Sequence, residues 1–268
     1  WSLVVFTALT GVGAGMFFFM ALDEIRGREC KAPWLLWVVI ILLAVGGIVS
    51  MTHLPHPERA FRIVNYPTGS IFIEAGLTGI TIALAFVYWV LISKTRDRKS
   101  AKRTLAILGM VSAALLAFMS GHSYMMESRP AWNALLLPLG YWATAFSGGS
   151  ALYQLCIIFD EKVDESPLAK GAVSYTLCMS IIAFIVDFVY MCGIGVIGNG
   201  SVGVAAWCLV LLPSAVAIIC AAIVRKQPYN LKSLSVIAFA AALLASFGIR
   251  ILMWLVIDFD VVTMFPIN

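Results

Sequence analysis

The stretch LLWVVIILLAVGGIVSMTHLPHPERAFR (Leu35–Arg62) changes character partway along. It begins as an apolar run without a single charged side chain and ends in SMTHLPHPERAFR (Ser50–Arg62). Those thirteen residues hold two histidines, two prolines, one glutamate and two arginines. An apolar run near twenty residues is long enough to cross the hydrocarbon core of a bilayer as a helix. The whole chain has three histidines, so two of them are gathered at the mouth of one expected span.

The rest of the chain repeats the apolar half of that pattern. Of its 268 residues, 62% are hydrophobic and 12% charged, where a soluble domain carries about a quarter charged residues. The residues thus read as one all-α integral membrane domain over 1–268, an eight-helix transmembrane bundle. Its spans are expected at 2–22, 34–54, 70–92, 104–124, 134–159, 171–192, 202–224 and 233–257. The first run lacks a basic flank and a small-residue cleavage site and reads as a true span. Pro138 and Pro213 fall inside spans, where neighbouring helices are expected to satisfy the freed carbonyls. The GVGAG run (Gly11–Gly15) superficially resembles a nucleotide loop, but no strand precedes it, and close helix packing is the expected role of Gly11, Gly13, Gly15, Gly148 and Gly149. Six scattered cysteines without a C-x-x-C pair argue against a disulfide framework or a cysteine-ligated iron–sulfur cluster. The net charge of +4 comes from loop residues and forms no basic face for nucleic acid.

Lys and Arg set the expected orientation. The loops after spans one, three, five and seven carry fourteen of them, and the opposite loops carry three, Arg59, Arg62 and Arg129. By the positive-inside rule both termini face outward, away from the cytoplasm. On that topology His53, Glu74 and His122 lie at or near the outer surface. Asp187 lies about 9 Å short of its exit and Arg250 about 12 Å, at 1.5 Å rise per residue. Every buried or near-buried ionisable group is therefore expected in the outer half. Such groups mark functional cavities or buried pairs, because charge inside the membrane is expensive.

A pocket of His, carboxylate and Arg suits quinol oxidation, which removes two electrons and two protons from a lipophilic hydroquinone. His is poised to accept a proton near neutral pH, a carboxylate to relay it, and the tail needs only a groove between helices. Tyr66, Trp132, Tyr141 and Trp142 are candidates to pack on the ring, with the interfacial aromatic belt as their ordinary role. Haem b is a second reading, restricted to one haem because only His53 and His122 are within reach of membrane helices. A small-solute transporter is a third; it would favour midplane polar residues and internal repeats, and no repeat is visible.

The residues also carry a resemblance. SMTHLPHPERAF resembles the segment ending the second helix in the membrane-anchor subunit of dimethyl sulfoxide reductases (DmsC type), within the wider quinol-interacting NrfD-like anchor group. VVFTALTGVGAGMF, Glu74, LLLPLGYWATAFSGGSALY and the GIR of the last span extend the similarity over most of the chain. The resemblance implies a menaquinol-oxidising subunit of the cell inner (cytoplasmic) membrane with no haem and no iron–sulfur cluster of its own. Its implied partners are a four-cluster ferredoxin-like iron–sulfur subunit and a molybdopterin catalytic subunit, docked on the outer face. It ties His53 to quinol binding and matches Glu74 to a recurrent position; from the residues themselves His53 and Glu74 are the expected catalytic pair, through which protons leave to the outside. Arg59 and Arg250 match recurrent positions; with His122 and Asp187 they complete the expected quinol-binding set, and no metal ligand is expected. Ser246 stands where the family pattern has an acid before the last-helix arginine, so Asp187 is the candidate to supply the missing carboxylate to Arg250. A polysulfide- or nitrite-reductase-type anchor is the related alternative.

Overall fold

The computed structural model describes residues 1–28, 32–54, 56–94, 98–160, 167–226 and 231–264, with backbone alone at 57, 59–61, 167, 231 and 257–264. Among the described residues there are helices and connecting turns and no strand. The helices are α1 (Ser2–Ile25), α2 (Leu35–Met51), α3 (Ser70–Lys94), α4 (Lys99–His122), α5 (Leu136–Phe159), α6 (Pro167–Gly193), α7 (Gly200–Ala206), α8 (Leu212–Lys226) and α9 (Leu231–Met264). A π-helical turn, Trp207–Leu211, joins α7 to α8, and a 3-10 helix, Pro57–Asn65, lies between α2 and α3.

The helical runs follow the expected spans closely. Six are long and apolar enough to cross a membrane, counting Gly200–Lys226 as one. Of the other two, α2 is apolar but only 17 residues long. It ends at Met51 because the Thr52 and Leu54 amides bond only three residues back, to Val49 and Met51, a tightening usual at helix ends. His53 therefore sits in a turn beyond the helix. α5 has 24 residues but carries Thr144, Ser147, Ser150 and Gln154, all buried, so it is polar where it faces protein.

The helices close two rings in chain order. In the first, α1 packs on α2 and α4, and α3 on α2 and α4; in the second, α5 packs on α6 and α9, and α8 on α6 and α9. The rings meet where α5 lies against α1 and α4, and α1 against α9. In lipid no hydrophobic gain separates helix from helix, so small residues that let backbones touch decide which pairs form. The GVGAG run does this on two sides of α1. A Cβ on Gly11 would lie 2.8 Å from the Ala145 Cβ, one on Gly15 would lie 2.6 Å from the Ala145 carbonyl, and one on Gly13 would lie 3.1 Å from Leu42 of α2. From the other side, a Cβ on Gly149 would overlap the backbone of Gly15 and Met16.

Pro213 is accommodated as its position in a helix requires. It cannot donate to the Leu209 carbonyl four residues back, and the helix widens into the π turn just ahead of it. The Leu209 carbonyl is turned against Gly248 of α9, where any Cβ would overlap it.

Gly149→Ala is expected to destabilise the detergent-solubilised protein by about 1–3 kcal/mol through overpacking of the α1–α5 seam. Gly193→Ala, whose Cβ would meet nothing within 4 Å, is expected to be neutral. Thermal unfolding of the two variants beside the parent protein checks the difference.

Candidate functional site

At one end of the bundle, α1, α2, α3 and the 3-10 helix line an open-sided cavity of about 730 Å³, within the usual range for small-molecule pockets. Its walls are almost wholly apolar, contributed by residues such as Phe6, Leu43, Ile48, Ile71 and Ile82. Its polar groups cluster at the mouth, where Ser50, His53 and His56 line it. The Ser50 hydroxyl is already spent on the Gly47 carbonyl, 2.7 Å away. The His56 ring is 2.9 Å from a Glu58 carboxylate oxygen. His53 is exposed in its turn and is free to face a ligand entering from this end.

Glu74 stands directly behind this cavity. Ala75 and Thr78 of α3 line it, while the Glu74 side chain is buried and turned toward the end of α4. There the Ser123 hydroxyl lies 3.5 Å from Oε2, and Ser120 is beside it. Tyr124 follows, with its ring 5.9 Å from that of Tyr141. Tyr141 is the floor under Arg250, whose guanidinium carbon is 4.4 Å above the ring centre. A run of polar and aromatic groups thus leads from behind the cavity into the interior of the bundle.

Arg250 is fully buried, and its partners come from three helices. Nε donates to the Thr7 hydroxyl at 3.0 Å and Nη2 to the Thr7 carbonyl at 3.2 Å, both on α1. Nη1 donates to the Ser246 carbonyl at 2.5 Å and hydroxyl at 2.9 Å on α9, and to Thr144 of α5 at 3.5 Å. A buried cation survives only when hydrogen bonds and favourable dipoles replace its lost water, and the face of Tyr141 adds a cation–π contact. A Cβ on Gly11 would come 3.2 Å from Nη2, so that glycine leaves room for the guanidinium.

The expectation that Asp187 supplies a carboxylate to Arg250 is not met. Among the described residues no carboxylate forms an ion pair with Arg250 within 4.0 Å. Asp187 is fully buried, its two oxygens have no hydrogen-bond partner, and it faces Gly140, where a Cβ would lie 2.6 Å from Oδ1. Neither Asp187 nor Glu74 contacts the guanidinium among the described residues. Ser246, the departure from the family pattern, is what serves the guanidinium directly.

The six expected site residues therefore do not share one pocket. His53 lines the cavity, Glu74 backs it, and Arg250 and Asp187 lie deeper. His122 is exposed at the end of α4, its ring 6.1 Å from Phe118, and does not line the cavity. The side chain of Arg59 lies outside the described residues. Of the aromatic candidates, Trp132 is buried and donates to the Met253 carbonyl at 3.0 Å, and Trp142 stacks on Phe146. Tyr66 is exposed. Among the described residues no three His, Cys, Asp or Glu side chains come together as a metal site.

The expectation that buried ionisable groups occupy one end alone is incorrect. At the opposite end Asp23 of α1 is 0% exposed. It accepts hydrogen bonds from Tyr175 at 2.5 Å and Tyr153 at 2.9 Å, and Arg28 lies 3.4 Å away. Lys102 of α4 is also buried. In sequence Asp23 stands one residue past an apolar run, as an ordinary helix-end acid; α5 and α6 cover it only when the rings meet.

A family model described as DMSO reductase anchor subunit (DmsC) matches residues 1–259. The C chain of the anaerobic dimethyl sulfoxide reductase of Escherichia coli (strain K12) is 30% identical over 168 residues, 59% of this protein and 57% of the relative. Its counterpart in Haemophilus influenzae is 26% identical over 188 residues, 68% and 67% of the two proteins. The YnfH chain of anaerobic dimethyl sulfoxide reductase from the same E. coli strain is 26% identical over 160 residues, 57% and 55%. The matched region thus spans less than two thirds of the first relative's length.

Thr7→Val would remove the hydroxyl that accepts from Arg250 Nε and leave a buried charge short of a partner. We expect it to lower stability by about 2 kcal/mol. Thr176→Val, which removes a hydroxyl bonded only to its own helix at the Ala172 carbonyl, should stay within about 0.5 kcal/mol of the parent. Thermal unfolding in detergent distinguishes the two.

Proposed function

The chain belongs to the DMSO reductase anchor subunit (DmsC) family, and on that premise we propose that it anchors a molybdopterin oxidoreductase complex in the cytoplasmic membrane and oxidises menaquinol. The observation that carries the reading is the cavity of about 730 Å³ with an apolar body and an imidazole at its mouth. A hydroquinone with a hydrocarbon tail has the same division into a polar head and an apolar remainder.

In this reading the hydroquinone enters the cavity with its ring toward His53. The His53 imidazole accepts one hydroxyl proton and water at the exposed mouth takes the other as two electrons leave the ring; imidazole is the side chain suited to that at neutral pH. Glu74, buried behind α3 beside Ser120 and Ser123, is the second proton-handling group. Arg250, with Asp187 in its field, holds a positive potential at the inner limit of this region and orients the polar groups between. Arg59, Arg62 and His122 belong to the outer rim. Two electrons pass to a docked iron–sulfur subunit and on to a molybdopterin catalytic subunit.

The proposed setting is an eight-span bundle with both termini on the outer side. The fourteen-to-three division of Lys and Arg between alternate loops supports it. The His53 end then faces outward, and protons are released there. With the catalytic subunit on the same side, neither protons nor electrons cross the membrane, and the cycle stores no membrane potential.

His53→Leu is expected to slow quinol oxidation about 100-fold or more, the usual range for loss of a general base, while the variant still copurifies with the soluble subunits. Quinol turnover equal to the parent's would remove His53 from the mechanism. For topology, Ser128→Cys in a cysteine-free background should react with a membrane-impermeant thiol reagent added to intact cells, and Ser100→Cys should react only after lysis. The reverse pattern would invert the bundle.

A further inference from the structure

The wall of the cavity is divided by side-chain size. On α2 it includes Ala44 and Gly47 between Leu43 and Ile48, and on α3 Ala75 and Gly79 between Ile71 and Ile82, so each helix contributes small residues flanked by large ones. That seam is the most sparsely packed in the first ring. The cavity extends along α3 from Ile71 to Ile82, eleven residues or about 16 Å of helix. Only its upper end carries imidazoles.

The glycines of these two helices differ in what a side chain would meet. In the Gly46–Gly47 pair, a Cβ on Gly46 would strike Thr10 of α1 at 2.8 Å, which is packing. A Cβ on Gly47 would meet nothing within 4 Å, and Gly47 lines the cavity. The same holds for Gly79, a cavity residue with open space at its Cβ position. Helix packing therefore does not require glycine at either place. What glycine provides at both is width in the slot.

We infer that the α2–α3 slot seats the isoprenoid tail of the quinol, and that Gly47 and Gly79 set the cross-section it accepts. This rests on the quinol reading above and extends it to the far end of the same cavity. Among the described residues the slot has no polar side chain other than Thr78, whose hydroxyl is bound to the Glu74 carbonyl at 2.8 Å. It therefore offers a ligand no directional contact, only shape and apolar surface. Such a surface fits a branched hydrocarbon chain and leaves the hydroquinone ring at the imidazole mouth.

The test compares Gly79→Leu with Gly76→Leu in membranes carrying the whole complex. Both lie on α3, and both have open space at the Cβ position, but Gly76 does not line the cavity. Oxidation of a long-chain menaquinol and of tail-less menadiol is followed spectroscopically. For Gly79→Leu the KM for the long-chain quinol should rise about tenfold or more, as filling a slot with a branched side chain predicts. The KM for menadiol should be unchanged, and Gly76→Leu should leave both substrates at parent values. An equal loss with both substrates, or no loss with either, would overturn the assignment of the slot to the tail. A quinone with a diazirine in its isoprenoid chain supplies a readout on the parent protein. Its cross-links should map to α2 and α3 around Gly47 and Gly79, and cross-links confined to other helices would overturn the proposal. Failure of the quinol reading itself looks different: His53→Leu would oxidise both substrates at the parent rate.

Discussion

The close approach of α1 to α5 is the constraint on which the rest of this protein depends. Gly11 and Gly15 on one helix meet Ala145 and Gly149 on the other so closely that added carbon would overlap backbone. In lipid there is no water to drive helices together, and van der Waals contact between backbones takes over that role. The contact joins the two four-helix rings. It also brings Thr7 of α1 and Thr144 of α5 to the place where Arg250 of α9 arrives. Without the seam the guanidinium would have the two groups of its own helix turn and nothing from α1 or α5.

Arg250 shows how a buried charge is held without a contacting carboxylate. Hydroxyls and carbonyls from three helices accept its protons, and an aromatic face covers it. Asp187 and Glu74 stand farther off, and among the described residues neither closes an ion pair with it. A fully closed pair would neutralise the site.

The other end of the bundle is organised differently. Asp23 is closed in by two tyrosines and Arg28, with Arg26 donating to Tyr175 at 2.9 Å. Every strong partner there is satisfied locally. The cluster ties α1, α5 and α6 together on the side away from His53. The two ends of one bundle thus separate a closely hydrogen-bonded polar cluster from a region with an open pocket and, among the described residues, carboxyl oxygens of Glu74 and Asp187 without a hydrogen-bond partner.

The membrane character, the helical runs and the gathering of titratable groups around Ser50–Arg62 were legible from the residues alone, because hydropathy and helix length are local properties. So was the role of the glycines of GVGAG, since a small residue in a lipid-like helix has few other uses. The family resemblance pointed to His53, Glu74 and Arg250 for the same reason: short motifs are read along the chain. Only the tertiary structure decided which of these residues share a place. It put His53 in a cavity, Glu74 behind it and His122 outside, gave Arg250 the hydroxyls of Thr7, Thr144 and Ser246 in place of an acid, and buried Asp23 where sequence shows only a helix end. Those outcomes depend on which helix faces meet. That choice is made by contacts between residues as much as 243 positions apart, which no local pattern of hydropathy or charge encodes.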